Sequence, residues 1–471
     1  MHPAEPADDS TTAAERQEPP KAPRAPAGWR RILMDTRPLR RPAFRRLWAS
    51  TTVTAVGSQL TAVAVPMQVY DITGSSAWVG YASFAGLVPL VFFALWGGAI
   101  ADSMDRRTLL LITNAGIAVT SLLFWVQAAT GTGSVAVLMA LLAAQQAFFG
   151  VNSPTRSASI ARLVPATELP AANALGTTVS ATGMVLGPLM AGALIPVIGL
   201  EELYLIDALA LCAALWAVWR LPAMPPLAGG AGSGTPSAGS SGTGSSGTGS
   251  SGAARTGTAR TGARPRAGRA GPREVAAGFR YIAARQVLLL SFVADVVAMV
   301  FGMPRALFPQ LASTTYASWG EGFALGLLFA AIPVGAVAGG LLSGTFSRVR
   351  RHGLMVILSV LVWGAAVVGC GLSPGLWWAA GFLAVGGVAD MVSMVFRGAI
   401  LQSVATDEMR GRMQGVFTVV VAGGPRVADL LHGTAGSLVG PRTAVTAGGL
   451  LVIVAMAALA LTMPALRRYR I

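Results

Sequence analysis

Twelve apolar runs, each long enough to cross a lipid bilayer, break up this chain, and they leave little freedom of fold. They fall at about 47–70, 77–101, 108–129, 134–154, 172–197, 202–220, 286–312, 322–346, 353–372, 375–399, 413–438 and 443–464. A spanning helix needs about 20 apolar residues. Bilayer hydrocarbon offers backbone N–H and C=O groups no water, so such runs satisfy them internally as helices. Composition agrees. Hydrophobic residues make up 53% and charged residues 12% of the 471, against about 25% charged in soluble domains. The expected fold class is an all-α membrane protein, and a soluble enzyme is disfavoured.

Charge placement sets the expected orientation. Of 35 basic residues, all are Arg except Lys21. With the N-terminus in the cytoplasm, 32 of the 35 fall in the tails and in alternate loops on that side. The opposite loops hold Asp71, Glu201, Glu202 and Glu321, with Arg442 the one basic residue. This asymmetry follows the positive-inside rule. It predicts twelve spans with both termini cytoplasmic. The net charge of +15 is thus a topology signal, and no nucleic-acid partner is expected. Cys212 and Cys370 stand in different halves and the three histidines are scattered, so neither a disulfide framework nor a metal site is expected.

The organisation reads as a disordered tail over 1–43, a six-helix half over 44–220, a linker over 221–272, a second half over 273–466 and a short tail over 467–471. The linker repeats Ser-Ser-Gly-Thr-Gly between Ser240 and Gly252, a flexible composition. Beyond it, Val275, Phe279 and Ile282 stand at helical spacing. They mark either an amphipathic helix on the inner membrane surface or a frayed start of the seventh span. The halves echo each other. Gly98, Asp102 and Arg106 are answered by Gly340, Gly344 and Arg348, Arg156 by Arg397, and Gly187-Pro188 by Gly424-Pro425. A duplicated six-helix unit in parallel repeat is one transporter architecture.

Three motifs carry mechanism. Between the second and third runs stand Gly97, Gly98, Asp102, Asp105, Arg106 and Arg107. Gly98 permits close helix approach, Asp102 can cap or pair across the cytoplasmic seam, and Arg106 and Arg107 anchor the loop. In the fifth run, Gly183, Gly187, Pro188 and Gly192 make a smooth face beside a bend. The third set is charge at membrane depth, which is costly and therefore points to function. Asp295 lies in the seventh run, with Arg305 near its outer end. Asp390 lies in the tenth, with Arg397 two turns on. Arg426, Asp429 and His432 follow one another at three-residue steps in the eleventh. Each acid is either a proton-coupling group or part of the architecture. The first half offers Gln59 and Gln145 for a polar substrate, or for hydrogen bonds between helices. Asp207 in the sixth run reads as structural.

The loop motif resembles the Gly-x-x-x-Asp-Arg/Lys-x-Gly-Arg/Lys-Arg/Lys signature of the major facilitator superfamily, with Ser103 and Asp105 departing from it. The fifth-run motif resembles that of the superfamily's proton-driven exporters. Finer strings are similar to the branch that holds the enterobactin exporter and drug:proton antiporters such as Tap. They are Val63-Ala-Val-Pro66-Met-Gln68, Leu221-Pro-Ala-Met-Pro225-Pro226, Gly278-Phe279-Arg280, Arg305-Ala-Leu-Phe-Pro309, Ala330-Ala331-Ile-Pro333-Val-Gly335 and Leu401-Gln402. The resemblance spans roughly 42–466 and fails over the linker. It implies the major facilitator fold, with spans one, four, seven and ten lining a cavity. Asp295 and Asp390 would then face the path.

The implied activity is proton-coupled export of a siderophore, drug or other amphiphilic metabolite by alternating access. The proton gradient supplies energy, with no cofactor, and the partners are the small-molecule substrate and membrane lipids around a monomer. Proton coupling is expected of Asp295, Asp390, Asp429 and His432, and substrate contact of Gln59, Gln145, Arg305 and Arg426. An importer of the same fold is the alternative, and a membrane sensor or enzyme a more distant one. No Gly-x-x-x-x-Gly-Lys-Ser/Thr phosphate loop is present, so ATP is not expected to drive the chain directly.

Overall fold

Nine stretches of the computed structural model are helical, apolar and long enough to cross a membrane, among the residues it describes: 35–225, 272–346, 349–404 and 406–470. One of them, Ala166–Trp219, contains two spans. The break is Gly199, held at φ 88°, a left-handed conformation open to glycine and costly to other residues. Packing against the first span shows the reversal. Trp48 meets Leu175, and Gly183 and Gly187 lie on Ala55 and Gln59, rising along the first helix. Tyr204 then meets Gln68, Asp207 meets Thr61 and Arg220 meets Arg46, descending it. The fifth span is therefore 169–198 and the sixth 200–219.

The first span, Pro42–Thr73, and the eleventh, Asp407–Val439, are of similar length, 32 and 33 residues, but richer in polar side chains. The remaining spans are Ser76–Ser103, Arg106–Ala129, Val135–Leu163, Gln286–Thr315, Glu321–Leu341, His352–Leu372, Leu376–Val404 and Pro441–Thr462. Several helices outrun their apolar runs. The fourth continues past Pro154 through Arg156 to Leu163, because a helix need not end where the hydrocarbon does.

The six spans of each half pair in the same pattern. In the first half the second span packs on the fourth, the third on the fourth and sixth, and the first on the fifth and sixth. In the second half the eighth packs on the tenth, the ninth on the tenth and twelfth, and the seventh on the eleventh and twelfth.

The seventh span is not the continuous helix its sequence suggested. An α-helix over Gln286–Gly302 stops, a 3-10 turn follows at Arg305–Leu307, and the span ends in a π-turn at Leu311–Thr315. Pro304 is the cause. It disfavours helical geometry at the residue before it, and Met303 sits at φ −114°, ψ 86°. The break brings Arg305 into the middle of the protein.

Residues 1–34 of the expected N-terminal tail and 226–271 of the expected linker lie outside the described residues, as does Arg348. Where the chain leaves the sixth span it is held against the end that carries the arginines. Asp105 caps the third span by accepting from Thr108 N at 3.0 Å, and its other oxygen accepts from Met224 N at 2.7 Å. Arg162 donates to the Pro225 carbonyl at 2.6 Å. Asp105 thus departs from the loop signature and gains a helix cap. At the same end Arg41 hydrogen-bonds Glu168 at 3.0 Å and holds that carboxyl below its usual range.

After the linker, Pro272–Ala283 forms a helix of its own, separated from the seventh span at Ala284 and Arg285. It packs on the start of the eleventh span. Ile282 is buried, and the Tyr281 hydroxyl donates to the Val404 carbonyl at 3.3 Å. Of the two sequence readings, a separate helix is the one observed.

Candidate functional site: a polar cavity at the seam

Where the two halves meet, they touch along the end opposite the arginines. Gly192 of the fifth span lies against Gly322 and Gly326 of the eighth. A Cβ on Gly192 would stand 2.6 Å from the Gly322 carbonyl oxygen and 2.7 Å from the Gly326 Cα. Gly80 of the second span likewise meets Asp429 and Leu430 of the eleventh, and Ser76 donates to the Gly433 carbonyl at 2.9 Å. Apolar attraction between helices is weak in lipid, so such seams rely on close packing of small residues and on hydrogen bonds. At the basic end a Cβ on Gly176 of the fifth span, or on Gly344 just beyond the eighth, would meet nothing within 4 Å. Thr177, Thr178 and Ser180 are exposed, and Leu341 is 83% exposed.

Below the closed end lies a cavity of about 430 Å³. Its first-half wall carries the polar groups Thr54, Ser58, Gln59, Gln145 and Gln146 and one acid, Asp207. Its second-half wall carries charge, Arg305, Arg426 and Asp429. Leu90, Leu142, Phe149 and Phe329 supply apolar surface. Gln59, Gln145, Arg305 and Arg426, singled out in the sequence, are thus brought together. Two hydrogen bonds cross the seam inside this cavity. Arg426 donates to Gln146 Oε1 at 3.0 Å, and Ser83 donates to Asp429 Oδ2 at 2.5 Å. Neither Gln146 nor Ser83 carried weight in the sequence, because a lone amide or hydroxyl becomes informative only when a charge from the other half reaches it.

Other residues stand elsewhere. Asp295 and Asp390, expected to face the path, do not line this cavity. Asp295 is 2% exposed and paired with Arg397, whose guanidinium also lies 3.8 Å from Asp390. A buried arginine needs a counter-charge, and here the two acids supply it. The matching arginine of the first half, Arg156, makes a neutral contact instead, donating to Asn152 at 2.7 Å. His432 also points away. Six residues on from Arg426, it has turned 120° around the helix at 100° per residue. Its ring hydrogen-bonds the Phe301 carbonyl at 3.1 Å, within the second half.

Gly183 and Gly187 seat the fifth span on the first, while Pro188 and Gly192 face the eighth. Arg106 donates to the Ala158 carbonyl at 2.9 Å and Arg107 to the Trp219 carbonyl at 2.5 Å, both within their own half. Gly98 and Asp102 lie on the second span, and the Asp102 side chain is outside what the structure describes. Asp207, which reads as structural in the sequence, is held within the first half. It lines the cavity, accepting from Thr61 at 2.9 Å and Ser121 at 2.8 Å.

Residues 35–226 match the family described as transmembrane secretion effector. The chain is 27% identical over 441 residues to the Enterobactin exporter EntS of Shigella boydii serotype 18, covering 91% of this chain and 94% of that one. Its identity to the Escherichia coli O139:H28 exporter of that name is 26% over the same coverage. Among solved structures, the nucleoside transporter NupG superposes with a TM-score of 0.64 at 12% identity, covering 91% of this chain and all but 1% of that one. A bacterial homologue of the lysosomal transporter Spinster, in an inward-facing and unoccupied conformation, gives 0.62 at 15%, covering 91% and 97%. These relatives and structural neighbours are transporters, not enzymes. The chain is thus similar over nearly its whole length to the enterobactin exporter, and its fold is the one these multi-pass membrane transporters share.

Proposed function

We propose that this transporter exports a siderophore or another amphiphilic metabolite or drug, in exchange for protons, by alternating access. The observation that carries the reading is the double use of the cavity side chains. Arg426 and Asp429 line the binding space and also hold the seam, through Gln146 and Ser83. A substrate that recruits Arg426, or a proton that neutralises Asp429, takes a partner away from the closed end. Binding energy is then spent on only one of the two states, which is what moves such an equilibrium. The basic end is read as cytoplasmic, so this form loads from the cytoplasm and releases after the opposite end opens.

Asp429 ranks first for coupling because it alone of the four candidates, among the described residues, lines the cavity. Asp295 and Asp390, tied to Arg397, are read as the charge balance of the second half, and His432 as a packing group. The cavity suits a substrate with an apolar body and several hydrogen-bond acceptors, met by two guanidiniums and three glutamine amides.

The test uses inverted membrane vesicles with an acid lumen and a panel of enterobactin, macrolides and dyes. At least one compound is expected to accumulate, to be released when a protonophore collapses the gradient, and to be lost in Asp429→Asn. Accumulation indifferent to the protonophore would contradict the coupling.

A further inference from the structure

The most unusual polar group outside the seam is the carboxyl of Asp207, on the sixth span. It is 1% exposed. One oxygen, Oδ2, accepts from the hydroxyls of Thr61 on the first span and Ser121 on the third. The other, Oδ1, has no hydrogen-bond partner and lies against the Cα of Gly57, where a Cβ would collide with it. Ser121 in turn accepts from Gln145 Nε2 at 3.2 Å, so the cluster reaches the fourth span at the cavity wall.

Among the described residues, the first-half elements packed on this carboxyl bring no cation to it. The first span presents Gly57 and Thr61, the third Ser121 and the fourth Gln145. On its own span the titratable neighbour is Tyr204, whose hydroxyl donates to Gln68, and Asp71 lies farther along the first span. Arg305, Arg426 and Asp429 face it from the second half across the cavity. An anion at membrane depth is expensive, and such groups are normally paired or functional. Two hydroxyls donate to one oxygen, and among the described residues none donates to the other.

We propose that Asp207 is a proton-binding site of the first half, loading and releasing its proton at the cavity wall. Ser121 and Thr61 position the carboxyl, and Gly57 leaves the space that Oδ1 occupies. Its use in transport rests on the proton-coupled reading above, with Asp207 as a second carrier beside Asp429, one in each half. The binding of the proton does not rest on it.

The site is tested on the full chain in lipid nanodiscs by infrared difference spectroscopy during a pH step, with no substrate. On the Asp429→Asn background, which removes the second-half carrier, a carboxylic-acid C=O band that titrates is expected, and it is expected to vanish when Asp207→Asn is added. Ser121→Ala, which keeps the acid and removes one donor, is expected to move the band without abolishing it. A titrating band unchanged in both Asp207→Asn and Ser121→Ala would overturn the proposal, as would the absence of any titrating band in folded wild type. Transport indifferent to the gradient, with the Asp207 band present, would remove the coupling and leave the proton site standing.

Discussion

Gly192→Val is expected to drive the protein out of the form described here without unfolding it. The new Cβ would meet the Gly322 carbonyl and the Gly326 Cα at under 3 Å, and both are backbone atoms of the facing helix, unable to move aside alone. Overpacking of this kind costs about 1–3 kcal/mol. The cost falls only on the form in which the fifth and eighth spans touch. A differential of that size corresponds to a roughly 5–150-fold shift in population. The readout is maleimide labelling of Val79→Cys, a buried position at the seam, on a Cys212→Ser background. Labelling from the side opposite the arginines should accelerate. Gly183→Ala is the control, because its Cβ would meet Ala55 of the same half. Equal acceleration in both variants would mean that the glycine face sets general packing rather than the closed end.

Arg397→Met is expected to be among the most destabilising single changes in the second half. It leaves Asp295, 2% exposed, without its cation. Breaking a buried pair from one side costs about 3–5 kcal/mol, whereas replacing both partners by apolar residues of similar volume is often neutral. Arg397→Met combined with Asp295→Leu should therefore recover most of the loss in thermal unfolding. The double variant should also keep gradient-driven transport if the pair is architectural. Recovery of stability with transport abolished would return Asp295 to the coupling candidates.

How much of this could be read from the sequence differs by level. The spans and their repeat were legible because lipid forces long apolar runs and because arginine marks one side. The hairpin at Gly199 was legible for the same reason, since Glu201 and Glu202 interrupt the hydrophobicity at the opposite end. The break in the seventh span was not, although Pro304 was in view, because a proline can sit in a continuous but bent helix.

Site residues divided along the same line. Gln59, Gln145, Arg305 and Arg426 stand out in the sequence as polar groups at depth, and the fold turns all four toward the cavity. Facing direction did not follow from depth. Asp295 and Asp390 are drawn to Arg397, and three-residue steps carried His432 a third of a turn from Arg426. Asp207 reads as structural in the sequence, where a lone acid on a sixth span carries no spacing signal. Its significance comes from Thr61 and Ser121, far apart in the chain and joined only by the fold.

The central claim is that the halves exchange this closed end for a closed basic end. The most direct test is to measure two distances in one experiment, with spin labels in nanodiscs on the Cys212→Ser background. One pair, Ile72→Cys with Val439→Cys, reports the end closed here. The other, Asn173→Cys with Leu342→Cys, reports the basic end. As pH is varied the first distance should lengthen while the second shortens, and the reverse change should follow on return. Distances that stay fixed, or that lengthen together, would contradict alternating access between these two halves.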